Sequence, residues 1–192
     1  MKKSLASLAL LLLLGPGLQG CAAVVVGGAA GGAMVANDKR TLGTYINDQE
    51  VELKAARRIS QDFPQAGMNV SVTSFNGWVL LTGQVPSDAI KQQVQTDIAG
   101  MSEVRQIFNE LQVAGKQSLA SEANDAAITA AVKTRLINTR DVNFDHVKVV
   151  TQSNVVYLMG LVSHQEAQSA IDVAATTSGV AKVVPAFEYT DQ

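Results

Sequence analysis

Cysteine is all but absent: Cys21 is the single one in 192 residues, which excludes an intrachain disulfide framework and a thiolate metal site. Histidine is almost as scarce. His146 and His164 have no Cys or His neighbour at metal-ligand spacing, so both read as surface residues and no metal is expected. Bases do not outnumber acids, 15 against 17, and the basic footprint that a nucleic-acid partner requires is missing. No GxSxG, P-loop, HExxH or dinucleotide fingerprint occurs, the acidic residues are scattered, and the sequence reveals no partnered base for any Ser or Thr. No enzyme and no cofactor follow from such a chain.

What is present begins at the N-terminus, where Lys2 and Lys3 precede an apolar stretch over 5–14 and the helix breakers Gly15-Pro16-Gly17. This is a targeting segment, 1–20, whose apolar part is too short to span a bilayer. Leu18-Gln19-Gly20-Cys21 follows, with Leu three before the cysteine and a small residue immediately before it, and it resembles the lipobox of bacterial lipoproteins. That resemblance implies an acylated Cys21 as the first residue of the mature protein, anchored stably by several acyl chains. Ala22 stands where an Asp would signal inner-membrane retention, which implies an anchor in the inner leaflet of the outer membrane and domains facing the periplasm. Loss of the signal takes two lysines with it and moves the formal charge from −2 to −4. A local basic patch can still act within such an acidic whole. Residues 22–36, AAVVVGGAAGGAMVA, carry Gly27/Gly31 and Gly28/Gly32 at helix-pairing spacing. With four glycines in about fifteen residues they read as a flexible tether beside the membrane. A polar linker continues to Asn47, so tether and linker occupy 21–47.

The rest of the chain is written twice. Residues 70–85, VSVTSFNGWVLLTGQV, and 147–162, VKVVTQSNVVYLMGLV, each read as two alternating strands split by a turn, Asn76-Gly77 in the first copy and Ser153-Asn154 in the second. The offset of 77 also pairs Asp48 with Asp125, Val51 with Ile128 and Arg58 with Arg135. Val51, Ala55 and Ile59 predict an amphipathic helix before the first hairpin, ending near Ser60, as Ile128, Val132 and Leu136 do before the second. Ser87 predicts an N-cap for a helix carrying Ile90, Val94 and Ile98 and stopped by Gly100. Ser163 with Glu166 has capping-box spacing for its counterpart, stopped by Gly179. Third strands are expected over 104–113 and 180–189. The reading is α+β: two tandem α-β-β-α-β units, each a small mixed sheet with two helices, over 48–113 and 122–192, joined by a linker over 114–121.

This order of elements, the unit length near seventy residues and a glycine at the end of the second strand resemble the BON domain of bacterial envelope proteins. Gly83 and Gly160 match the glycine for which the domain is known, and a structural role at the strand exit is the reading made here. The resemblance implies binding of anionic, phosphatidylglycerol-like phospholipid, mainly through the second domain, in support of outer-membrane integrity. Each copy holds five bases against eight acids, so net charge does not choose between them. Helical spacing places Lys133, Ile137 and Arg140 on one side of the second copy's first helix, away from its core stripe, as the phospholipid contact. A solvated helix face is the plainer account of the same residues. The alternative function is a protein-binding scaffold that recruits envelope-assembly or cell-division machinery through sheet faces or edges. Trp78 could mark such a surface, although it reads better as a half-buried strand residue.

Overall fold

The computed structural model describes residues 38–64 and 68–191; the signal segment, Cys21 and residues 22–36 lie outside them. Helix α1, Leu42–Asp62, starts at Thr41, whose hydroxyl accepts the Thr44 N–H at 3.1 Å. The linker expected to reach Asn47 therefore ends at Thr41, and the linker expected over 114–121 ends at Ser118, the N-cap of α3, Leu119–Ile137. Both starts obey the 77-residue offset. Thr41 matches Ser118, and Leu42 matches Leu119. The core stripe does not reveal them, because the first inward side chain of each helix is an aspartate, Asp48 or Asp125, and everything before it faces outward.

Strands β1, Asn69–Phe75, and β2, Trp78–Val85, pair antiparallel. Asn76 and Gly77 between them take φ of 52° and 73°, the left-handed pair of a type I′ turn. Helix α2, Asp88–Ala99, is capped by Ser87 and ends at Gly100. The third strand, expected as one piece over 104–113, is two: β3, Gln106–Asn109, and β4, Gln112–Val113, both parallel to β2. In the second copy, β5, Val147–Gln152, pairs antiparallel with β6, Val155–Val162, around Ser153 and Asn154 at φ 51° and 65°. Helix α4, His164–Ala175, opens with the expected capping box of Ser163 and Glu166. It ends at Thr176 and not at Gly179, which at φ 88° turns the chain toward β7, Lys182–Tyr189. Strand β7 runs unbroken beside β6.

The two glycines account for part of this difference. Gly83 lies within β2 at φ 114°, and a Cβ there would stand 1.8 Å from the Asn69 carbonyl oxygen. At Gly160 the corresponding distance, to the His146 carbonyl oxygen, is 2.4 Å. Backbone approaches so closely at both positions that no side chain fits. The interruption between β3 and β4 falls beside the left-handed Gly83.

One face of each sheet packs on its own helices. Val51, Ala55, Ile59, Val94 and Ile98 meet Val79, Leu81 and Val85 in the first core, and Ile128, Val132, Leu136, Ala170 and Ala174 meet Val156, Leu158 and Val162 in the second. The other faces pack together. Phe75, Leu80, Tyr157, Met159 and Ala186 form a third core that joins the two copies, with Trp78 and Phe108 at its margin, ring centroids 5.5 Å apart. Each fully buried side chain of this size contributes about 1.5–3 kcal/mol, which matters for units that bury only a modest fraction of their surface alone. Burial pushes the Tyr157 hydroxyl up to about 12, and the hydrogen-bonded Glu110 carboxylate adds to the shift. Lys148 to Glu52 at 2.7 Å and Arg105 to Glu188 at 3.0 Å rim this contact.

Candidate functional site

Helix α3 turns Asp125, Ile128, Val132 and Leu136 inward and leaves its opposite side to solvent. Lys133 is half-buried and Ile137, the last helical residue, is 61% exposed. Arg140, expected one turn further along the same helix, lies beyond its end. Asn138 caps the helix: its N–H reaches the Arg135 and Leu136 carbonyls, and its amide donates to the Thr134 carbonyl at 2.8 Å. Thr139 also donates to the Arg135 carbonyl, at 2.8 Å. Arg140 is thus an exposed residue of the turn that follows, three positions from Ile137 in sequence. Among the described residues neither Lys133 nor Arg140 forms an ion pair. Arg135, in contrast, is committed. Its guanidinium donates to the Val173 carbonyl at 2.9 Å and to the Thr177 and Thr176 hydroxyls at 2.7 and 2.9 Å, tying α3 to α4.

Two residues that carry the local architecture were visible in the sequence only as a repeat. Asp48 is 1% exposed and gathers four donors: Ser74 Oγ at 2.7 Å, the Asn76 N–H at 2.7 Å, the Gly77 N–H at 2.9 Å and Arg40 at 2.8 Å. Asp125 holds the second hairpin in the same way, through the Ser153 and Asn154 N–H groups at 2.8 Å each and Gln117 Nε2 at 2.6 Å. A carboxylate on the inward face of an apolar helix, at the same place in both copies, was the available signal. Arg40 and Gln117 stand at matching positions of the repeat, and only the first brings a charge. Its guanidinium also lies 3.9 Å from the centroid of the Phe75 ring.

The segment that enters α1 is fixed from the second copy as well. Lys39 Nζ is 3.1 Å from Glu166 Oε2, and His146 Nδ1 is 3.2 Å from Glu166 Oε1. Burial pushes the Glu166 carboxyl up, but the Ser163 N–H, Lys39 and His146 outweigh it and hold it at about 2.

Both sheet faces are consumed, one by helices and one by the other copy, so Trp78 marks an internal contact and not an open surface. Among the described residues no group of three or more His, Cys, Asp or Glu could hold a metal ion, and no helix is long and apolar enough to cross a membrane. A polar recess beside Asp125, lined by Asn69, Glu122, Thr129 and Thr151 among others, has neither His nor Cys.

The BON domain matches residues 47–115 and 124–191. Outer membrane lipoprotein DolP of Haemophilus influenzae is 39% identical over 175 residues, 91% of either chain. A 21 kDa hemolysin of Actinobacillus pleuropneumoniae is 32% identical over 79% of each chain. Osmotically-inducible protein Y of Escherichia coli is 27% identical over 79% of this chain and 77% of its own. Two matched domains and a likeness that runs the length of both proteins show that this chain belongs to the BON-domain family, as a DolP-like outer-membrane lipoprotein with two BON domains.

Proposed function

We propose that the chain binds anionic phospholipid without catalysing a reaction, mainly through its second BON domain, and thereby supports outer-membrane integrity. Acyl chains on Cys21 hold it in the inner leaflet, and both domains face the periplasm. The observation that supports this reading is the C-terminal end of α3, where exposed Ile137 sits between two bases that no acidic side chain neutralises among the described residues. Bases gather at helix C-termini to complement the macrodipole, yet Arg135 already serves the last turn of α3. Lys133 and Arg140 are left for phosphates, each contributing about 1 kcal/mol near an anionic surface. The scaffold alternative loses the sheet faces and keeps the sheet edges.

Co-sedimentation of residues 37–192 with phosphatidylglycerol vesicles, against phosphatidylcholine vesicles, tests the reading. Binding to the first alone is expected, and equal or absent binding to both refutes it. Cys21→Ser should leave an unprocessed precursor or a soluble periplasmic form; a variant that is acylated and fractionates with membranes removes the anchor from the account.

A further inference from the structure

An exposed flank of α1, beside its core stripe, is also apolar. Leu42, Tyr45, Ile46 and Leu53 are 59%, 36%, 55% and 53% exposed, and at 3.6 residues per turn they share a sector about 100° wide. Gln49, Ala56 and Ser60 complete that sector, so no charge interrupts it from Leu42 to Ser60. Large apolar groups are normally exposed singly, and a contiguous stripe marks a contact surface. The position of the stripe says what it contacts. Residues 22–41 lead from Cys21 straight to its first side chain, so the face opens at the end where the chain arrives from its anchor. Twenty residues reach at most ~70 Å. The stripe is therefore held at high effective concentration against the leaflet, where individually weak contacts suffice. The entry is also clamped, by Lys39 on Glu166 and by Arg40 on Asp48, so the helix does not swivel freely on the residues that precede it. Tyr45, in the first turn, has the amphipathic ring that suits headgroup depth.

We propose that this face of α1 lies on the lipid leaflet that holds the anchor, with Leu42, Ile46 and Leu53 at the boundary between headgroups and acyl chains. The inference rests on acylation of Cys21 and is independent of the contact proposed for α3. The mature acylated chain, in which Cys21 has no free thiol, is reconstituted into phosphatidylethanolamine–phosphatidylglycerol vesicles containing lipids brominated high on the acyl chain. An environment-sensitive fluorophore is attached at Ile46→Cys or Leu53→Cys, and as a control at Gln93→Cys on the exposed side of α2. Quenching at 46 and 53 should exceed that at 93 at least twofold. Adding Leu42→Ser should reduce it with the melting temperature unchanged, since that side chain supports no core. Equal quenching at all three positions, or none, overturns the proposal. So does a blue-shifted label that bromine does not quench, because a protein or a second copy would then cover the face. A fluorophore at Ile137→Cys in the same vesicles reports the second-domain contact separately, so either reading can fail alone.

Discussion

Helices α1 and α3 descend from one duplicated unit and keep the same inward side: a hydroxyl N-cap, an aspartate that clamps the hairpin, then an aliphatic stripe. Their outward sides have diverged. Where α1 carries Tyr45, Ile46 and Leu53, the offset places Glu122, Ala123 and Ala130 on α3; where α1 has Ala56 and Ser60, α3 has Lys133 and Ile137. Apolar area thus runs from the start of the first helix to its middle, whereas in the second Leu119 stands alone at the start and charge with one exposed aliphatic, Ile137, at the end. Packing fixed one face in both copies, and only the face free of that constraint could be given to different contacts.

The largest effect is expected where the clamps differ. Asp48→Ala leaves three hairpin donors without their acceptor and removes one of the two carboxylates on Arg40, which keeps Asp38 at 2.6 Å, and should cost about 3 kcal/mol. Asp125→Ala strands only neutral donors, at about 1–3 kcal/mol. Chemical denaturation of the two variants checks the order, and equal losses would mean that Asp38 alone satisfies Arg40.

The glycines come next. Gly83→Val combines a left-handed φ with a Cβ 1.8 Å from the Asn69 carbonyl oxygen and should cost about 3 kcal/mol or more. Gly160→Val meets a carbonyl oxygen at 2.4 Å without the left-handed φ, so only overpacking against backbone opposes it, at about 1–3 kcal/mol. A variant that keeps its melting temperature and loses phospholipid binding would reassign that glycine to ligand contact.

Much of this was legible in the sequence, for physical reasons. Period-2 and period-3.6 patterns reported the strands and core stripes because each sheet buries one face on amphipathic helices. Asn76-Gly77 announced its turn through the φ it tolerates. Hidden were the features that break a period. The first two turns of α1 put leucine, tyrosine and isoleucine outward and only an aspartate inward, which reads as linker. The end of α3 was set by hydrogen bonds from Asn138 and Thr139, which spacing cannot show, and Arg140 was carried one turn too far. The packing of the copies left a partial trace: Val79-Leu80-Leu81 and Val156-Tyr157-Leu158-Met159 are apolar at successive positions, as strands buried on both faces must be. Nothing in those runs says that one covers the other.

A smaller effect separates the two helices at a lipid surface. Lys133→Glu with Arg140→Glu should weaken binding to phosphatidylglycerol vesicles by one to two orders of magnitude at low salt, at about 1 kcal/mol for each base removed and more for its reversal. The fold should remain intact, because neither base is paired. Raising the salt should weaken wild-type binding in the same direction. Arg57→Glu with Arg58→Glu on α1 should matter far less. Equal losses from the two helices would mean that the charged interface is shared, and no loss from either would return Lys133 and Arg140 to a solvated face.

The smallest expected effect is an acid sensitivity confined to the second copy. Its capping-box glutamate, Glu166, has no equivalent in the first, where Ile90 occupies the N3 position of α2 and Ser87 caps the helix by accepting the Ile90 N–H alone. Burial works against the Glu166 carboxylate, but the Ser163 N–H, Lys39 and His146 hold its pKa at about 2, below the ordinary 4.5. A depressed carboxyl favours the folded state above its unfolded pKa, and that contribution is lost as pH falls from about 4.5 toward 2. Asp38 and Glu188 are held below their ordinary values as well, so the informative quantity is a difference between proteins. Glu166→Gln should be less stable than wild type at neutral pH and lose less on acidification, bringing the two melting curves together near pH 2 to 3. If they stay parallel across that range, the proton is taken up elsewhere, and the clamp on the entry to α1 owes little to this carboxylate.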